Sequence, residues 1–383
     1  VAADCAERWL KSGKPCRIHE ILVRLKEHPA LRGVPLSIQR GQAEALPLNG
    51  SDGRQWILKK FHRGRELDRV YLEAVSSLLP KHESFASGTE RRVLSQGDLM
   101  KERGCYQSNE LDRWLDGALL MPRVEGVDWA TVADEVREGR VRLGHAHRLA
   151  LCRSLTGCVE ALEQSECSHR DISCGNVFVK VTQWRVSFID FDSAFHSSLN
   201  MPAATTCGTE GYTAPFAWRD RTLDARKTWC ERADRYALSI MCLEFLVLQK
   251  GSPLSAEGGM FDQEDLCHRR GQTLDGALKA LRAECPGAVP LVEAAVAAEC
   301  FDQCPSPEDW HNFCDTAGAP ARPPRLAELE AVAPDFFEQL LRKRRPAAPL
   351  WPAPKLSDLP TAEIILPKPE RSVVQLPPDP WRE

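Results

Sequence analysis

Two short stretches hold most of the side chains able to do chemistry: SHRDISCGNV (Ser168–Val177) and FIDFDSAF (Phe188–Phe195). Asp171 is followed five residues later by Asn176, so one tight loop offers a carboxylate and an amide oxygen. Asp190, just after a short apolar run, adds a second carboxylate 19 positions beyond Asp171. Far upstream, Lys59 ends the strand-like WILK and supplies a cation. Phosphoryl transfer needs such parts: a carboxylate to orient the attacking hydroxyl, oxygen ligands for Mg²⁺ on the phosphates, and a cation to hold the nucleotide.

These residues lie far apart in the chain, so the elements between them must bring them together. Leu36 to Phe61 is strand-like, with PLSIQRG, AEALPL and RQWILKKF around a turn containing Asn49-Gly50 and Asp52-Gly53, whose residues suit the positive φ of a hairpin. From Glu66 to Leu79 the spacing turns helical, with Leu67, Val70, Tyr71, Ala74 and Leu78 on one side and Pro80 as the stop. GALLMPRVEG reads as a further strand ending near Gly126. Beyond it, Leu143–Leu162 is a long amphipathic helix, and Asp234–Leu248, apolar almost all round, is a buried one. Val177–Val179 and Val186–Ile189 read as a hairpin between them. The amphipathic stretch Ile18–Leu25, before the Pro29 and Gly33 breakers, reads as one short helix packed on the strands after it. Strands first and helices later predict an α+β arrangement of two unequal lobes.

In chain order these motifs resemble those of the protein-kinase superfamily over about residues 36–316. WILKKF resembles the strand that carries the nucleotide lysine, which points to Lys59; Lys60 would face the other side of the strand. The resemblance implies Glu73 as the ion-pair partner of Lys59, with Glu66 as runner-up. LLMPRVEG is similar to the hinge between lobes, with Met121 as gatekeeper and Pro122, Arg123 and Val124 offering backbone groups to an adenine. HRDISCGN resembles the catalytic loop, with Asp171 as base and Asn176 as a metal ligand. Asp190-Phe191-Asp192 stands where D-F-G is expected, with Asp190 on Mg²⁺. GTEGYTAPF (Gly208–Phe216) resembles the end of an activation segment, and Asp234 would hold the catalytic loop's backbone. The implied fold is a bilobal, protein-kinase-like α+β fold with a small β-rich N-lobe carrying one main helix and a larger helical C-lobe. The implied segments are 1–34 a helical extension, 35–126 N-lobe and hinge, 127–317 C-lobe, and 318–383 a Pro-rich tail.

Four departures bear on activity. No G-x-G-x-x-G precedes Lys59; QRGQAEAL keeps only Gly41 for close approach to phosphates. Ser173 stands where serine/threonine kinases carry a lysine, which removes a positive charge from the transition-state environment. Asp192 replaces the D-F-G glycine and adds a carboxylate near the metals. Phe216 replaces the A-P-E glutamate, while Cys304 occupies the position of its arginine partner. Losing one ion of a buried pair costs about 3–5 kcal/mol, but replacing both by apolar groups can be near neutral, so a different anchor is expected.

The resemblance therefore implies a Ser/Thr protein kinase, bacterial in type, using ATP and Mg²⁺ on a protein substrate and autophosphorylating. Candidate acceptors are Ser193, Ser197, Ser198, Thr205 and Thr206, with Arg170 binding the added phosphate. Thr209 reads as a loop residue hydrogen-bonded to Asp171. A PP2C-type phosphatase or a von Willebrand A protein are the partners that such relatives suggest. Two other functions compete: a pseudokinase scaffold without turnover, and a small-molecule phosphotransferase with a similar H-x-D-x-x-x-x-N loop. The 25 positions from Asp190 to Pro215 argue against the second, since they resemble a peptide-docking segment.

Composition narrows the class. The net charge of −4 gives no electrostatic case for nucleic-acid binding. No apolar run approaches the roughly 20 residues of a membrane span, and the opening VAADCAERWLKSGKPCR shows no basic segment followed by an apolar one. Fifteen scattered cysteines, none in C-x-x-C, suggest reduced thiols in a cytoplasm. Cys167, His169 and Cys174 are a disfavoured metal set, His169 reads as a packing residue, and Cys300 and Cys304, one helical turn apart, as buried small apolar groups. From Ala319 onward lie 14 of the 27 prolines and the basic run Arg342–Arg345, a linker-like composition with room for one short helix at Asp335–Leu341.

Overall fold

The consecutive apolar residues Trp56, Ile57 and Leu58 of WILKKF face both sides of a sheet that is covered on each, and that sheet carries Lys59. The computed structural model describes residues 2–40, 43–62, 64, 67–202, 208–219 and 222–317. Gly41, Glu66, Thr205, Thr206 and the Pro-rich tail lie outside the described residues.

In chain order, α1 (Ala2–Lys11) precedes β1 (Cys16–Ile18), β2 (Ile21–Leu25), β3 (Glu27–His28), β4 (Leu31–Pro35), β5 (Ile38–Arg40), β6 (Ala43–Gly50) and β7 (Gln55–Phe61). Then come α2 (Arg69–Leu78), α3 (Ala86–Thr89), β8 (Arg92–Val93), α4 (Asn109–Leu115) and β9 (Leu119–Pro122). The main sheet runs β1-β2-β6-β7-β9-β8, antiparallel throughout, with β5 added to β6. Gly53, at φ +80°, makes the turn between β6 and β7 where the glycine-rich sequence predicts a hairpin.

Because side chains alternate across a strand, β7 sends Trp56, Leu58 and Lys60 one way and Ile57, Lys59 and Phe61 the other. Trp56 and Leu58 join a first core with Leu46, Leu48 and Leu120, capped by Cys5, Ala6 and Trp9 of α1 and Leu111 and Trp114 of α4. Lys60, on that side, reaches the Asp116 carbonyl. Phe61, Leu119 and Met121 belong to a second core shared with the later helices.

Ile18–Leu25 is not the helix that its amphipathic spacing predicts. It falls in the β1–β2 hairpin, and β2 pairs with β6 in the main sheet. Short apolar runs of this length fit either period, and here a free sheet edge and β-branched Ile18, Ile21 and Val23 favour the strand. The N-terminal helix lies earlier, at α1. Trp9 is 1% exposed and bonds through Nε1 to the Lys14 carbonyl at 3.1 Å. Trp9→Ala should therefore cost about 3–5 kcal/mol. A urea midpoint equivalent to under about 1 kcal/mol of loss would show that α1 is not integral to the core.

The chain continues with β10 (Val127–Asp128), α5 (Trp129–Arg137), α6 (His145–Gln164), β11 (Cys167–Ser168), β12 (Val177–Lys180), β13 (Arg185–Phe188) and β14 (Phe195–His196). Last come α7 (Arg235–Val247), α8 (Gln263–His268), α9 (Gln272–Glu284), α10 (Val289–Ala297) and α11 (Pro307–Ala317). β12 and β13 form the expected hairpin. Every residue of α7 after Arg235 is buried, as a helix apolar almost all round predicts, and Ser239 and Glu244 are buried with the rest. The architecture is mixed α+β, with strands concentrated in the first third and helices after it. Among the described residues no helix is long and apolar enough to cross a membrane, and every cysteine is a free thiol.

Candidate active site

The loop between β11 and β12 is fixed from behind. Asp234, at the start of α7 and 1% exposed, accepts the amide N–H groups of His169 at 2.6 Å and Arg170 at 2.8 Å. Burial pushes its carboxyl up to about 7. Arg170 is held at φ +66°, a conformation costly for a long side chain and tolerated where the surroundings over-determine it. His169 is fully buried, donates from Nε2 to the Ile189 carbonyl at 2.8 Å and packs on Phe188 and Phe191. Burial lowers its imidazole to about 4, so it is neutral and packs the loop.

On this frame Asp171 is gripped at both oxygens. Oδ1 accepts from the Thr209 hydroxyl at 2.8 Å and Oδ2 from Asn176 Nδ2 at 2.9 Å. Nδ2 also bonds the Asp171 carbonyl, which leaves Oδ1 of Asn176 as the atom suited to a cation. Burial pushes the Asp171 carboxyl up to about 7; its bond from Thr209 opposes the rise and the charge of Asp190 adds to it. The Asn176 carbonyl accepts the Ile189 amide at 3.0 Å, placing this loop directly beside Asp190.

Asp190 leaves β13 in the left-handed region, φ +68° and ψ 54°. Its Oδ1 accepts from the Lys59 ammonium at 2.7 Å, a bond that joins residues 131 positions apart. The ammonium also reaches Asp192 Oδ2 at 2.6 Å. Burial alone would depress Lys59, but the charges of Asp190 and Asp192 outweigh it and hold the ammonium above its ordinary value. Burial would likewise raise Asp190, yet Lys59 holds that carboxyl low, while burial keeps the Asp192 carboxyl high. Lys59, Asp171, Asn176 and Asp190 are thus brought together, and Thr209 with them.

Glu73 is not. It points to solvent and pairs with Arg69 at 2.8 Å on the same helix. The buried face of α2 is Tyr71, Leu72 and Val75, rotated from the predicted one, and Val70 is 74% exposed. Tertiary bonds set this rotation: the Tyr71 hydroxyl donates to the Ala194 carbonyl, and Asp68 caps the helix N-terminus. The sequence reasoning also missed Arg91. It is 6% exposed, donates from Nη1 to Asp192 Oδ1 at 2.8 Å, and bonds Ser76 and Leu72 of α2.

Met121 sits buried in β9, paired with Ile57 two residues before Lys59. The Arg123 amide is used within the sheet, donating to the Gln55 carbonyl at 2.9 Å, and its guanidinium reaches the Gln55 side chain. That N–H is not available to an adenine, which leaves the half-buried Val124 as the amide candidate.

Arg170 does not wait for a phosphate. Its guanidinium donates to the carbonyls of Ser193, Ala225 and Thr228 at 2.8–3.0 Å and lies 4.6 Å from the centre of the Trp229 ring. Of the candidate acceptors, Ser193 is buried, Ser197 bonds Glu166 and Ser198 bonds His196.

The GTEGYTAPF segment is docked against the helices. The Gly211 amide bonds Gln263 Oε1 at 3.0 Å, and a side chain at this φ +84° position would run into the Phe261 carbonyl. Tyr212 donates to Glu244 at 2.9 Å. Phe216 meets Phe301 edge to face at 4.8 Å, an apolar anchor where the ion pair is missing. Cys304 is buried as expected, but Cys300 is exposed: the chain between them makes a single 3₁₀ turn, which does not align them on one face.

Glu244 is 1% exposed and accepts from Trp129 Nε1, the Tyr212 hydroxyl and the Met260 amide. Burial pushes its carboxyl up to about 7. Between the unfolded carboxylate value and pH 7 the folded protein keeps a proton that the unfolded chain has lost, so this residue's contribution falls as pH rises. Glu244→Gln does not titrate. Its stability relative to wild type should improve by about 2–3 kcal/mol from pH 5 to 7.5 in urea unfolding. A gap independent of pH would contradict this.

Among the described residues no three His, Cys, Asp or Glu side chains form a metal-binding group. The thiols of Cys167 and Cys174 turn to the Ser165 and Glu257 carbonyls. The donors near Asp190 are oxygens, which suit Mg²⁺, an ion that draws its remaining ligands from phosphates and water. No protein-family model matches the chain, and no curated protein is significantly similar to it.

Proposed function

We propose that this protein is an ATP- and Mg²⁺-dependent Ser/Thr protein kinase with a protein-kinase-like bilobal fold. The observation that carries the reading is the bond from Lys59 to Asp190, which joins the sheet to the turn after β13, itself tied to the Asp171–Asn176 loop by the Ile189 amide on the Asn176 carbonyl. In this reading the β-sheet with α2 is the small lobe, β9 leads into the hinge, and the helices from α5 onward form the large lobe. Mg²⁺, when bound, neutralises charge on the phosphates, and Asp190 and Asn176 would hold it. Lys59 would hold the phosphates. Asp171, oriented by Thr209 and Asn176, would accept the proton of the attacking hydroxyl. A peptide acceptor is favoured over a small molecule because the segment from Thr209 to Phe216 is docked beside Asp171, where a peptide could lie.

A scaffold without turnover is the second reading. On its side is the engagement of Lys59 by two carboxylates, with Asp192 in a place where the resembled family has glycine. Incubation with γ-labelled ATP and Mg²⁺ separates the two. The kinase reading expects label on the protein itself or on a generic protein acceptor, lost in Asp171→Ala. Equal labelling of both proteins, or none in either, supports the scaffold.

A further inference from the structure

We propose that Arg91 and Asp192 are the positioning residues for Lys59, supplying through a buried ion pair what a helix carboxylate supplies in the resembled family. The inference rests on the kinase reading for its catalytic consequence, but not for its structural content.

A lysine that holds phosphates needs a partner that stays when the nucleotide arrives. Asp190 is poorly suited to be that partner, because its side chain is 37% exposed and it is the carboxylate that a cation on the phosphates would take. Glu73 faces away and pairs with Arg69. Asp192 remains. One of its oxygens bonds Lys59 at 2.6 Å and the other bonds Arg91 at 2.8 Å, so both face protein cations.

Arg91 fixes Asp192 in turn. Its side chain is 1% exposed, and a guanidinium fork can bond several partners in one plane. Nη1 holds Asp192, Nε holds Ser76 Oγ at 2.7 Å, and Nη2 holds the Leu72 carbonyl at 3.2 Å. One side chain therefore ties α2 to the turn after β13, and through Asp192 to Lys59 on β7. A rotation of α2 would pull on Lys59 by this route. It also explains Asp192: a glycine there would leave Arg91 buried without its carboxylate.

The test uses the full chain carrying Arg91→Met or Asp192→Asn, with folding checked by circular dichroism. Should Arg91→Met fail to fold, the isosteric Asp192→Asn carries the test. The first readout needs no nucleotide: the rate of Lys59 reductive methylation, followed by peptide mass spectrometry. The second is kcat and KM for ATP-Mg²⁺. Both variants should raise Lys59 labelling at least fivefold and lower kcat at least tenfold, with KM within threefold. Labelling within twofold of wild type overturns the proposal, and more decisively if Glu73→Gln raises it instead. If labelling rises but wild type transfers no phosphate, the positioning stands and the kinase reading falls.

Discussion

If the proposed kinase reading holds, Asp171→Ala should lower phosphoryl transfer by about 10²–10⁴-fold, the usual contribution of a positioned general base, while affinity for ATP-Mg²⁺ should stay within about threefold. The split follows from the geometry. Asp171 bonds Thr209 and Asn176 and makes no bond to Lys59, so its loss removes the proposed proton acceptor but not the groups proposed to hold the nucleotide. Asn176 keeps its backbone bonds to Ser173 and Ile189 and hence its place. Initial rates with a generic protein acceptor, beside fluorescence titration of nucleotide, measure both quantities. A variant that retains more than a tenth of wild-type rate would remove Asp171 from the chemistry.

Asp234→Ala is expected to have the second largest effect, on the fold and, in the proposed kinase reading, on transfer as well. The carboxylate accepts two amide N–H groups from the loop that carries Asp171, and its burial leaves water little access to replace it. Each orphaned buried donor costs about 1–3 kcal/mol, so the variant should lose about 2–6 kcal/mol. The strained backbone of Arg170 at φ +66° then loses the acceptor of its own amide. Transfer should fall with stability, by at least tenfold even well below the melting temperature. Asp234→Asn keeps one acceptor and should lie between. A urea midpoint for Asp234→Ala within about 1 kcal/mol of wild type would contradict this role.

Much of the site was legible because its chemistry is local. Asp171 and Asn176 share one turn, whereas the place of Asp190 beside them was implied by the resemblance and rests in the structure on the Ile189 amide bonding the Asn176 carbonyl. The position of Lys59 also followed from period two in WILKKF, with Lys60 turned to the Asp116 carbonyl on the other face. The partner of Lys59 was not legible, for a physical reason. Ten residues of α2 offer apolar side chains around much of the helix, and the choice between a face with Val70 and one with Val75 is made by Tyr71, Arg91 and the Ala194 carbonyl. Those contacts cross 19 to 123 positions of sequence. Arg91 illustrates the same limit: next to Arg92, which pairs with Glu20 at the surface, nothing in the local sequence marks it as buried.

The N-terminal hairpin shows the other limit, that of short elements. Ile18–Leu25 contains apolar residues that suit a strand or one turn of helix, and only the open edge of β6 decides between them. The resemblance implied a different anchor at Phe216, and its contact with Phe301 could be found only once the chain was folded.

The most direct measurement is a co-crystal with a non-hydrolysable ATP analogue and Mn²⁺, read by anomalous scattering. Manganese should bind directly to an Asp190 carboxylate oxygen and Asn176 Oδ1, with Lys59 on the phosphates and still bonded to Asp192. Manganese and nucleotide bound elsewhere, or a site in which Lys59 stays closed on Asp190 with nothing bound at saturating nucleotide, would contradict it.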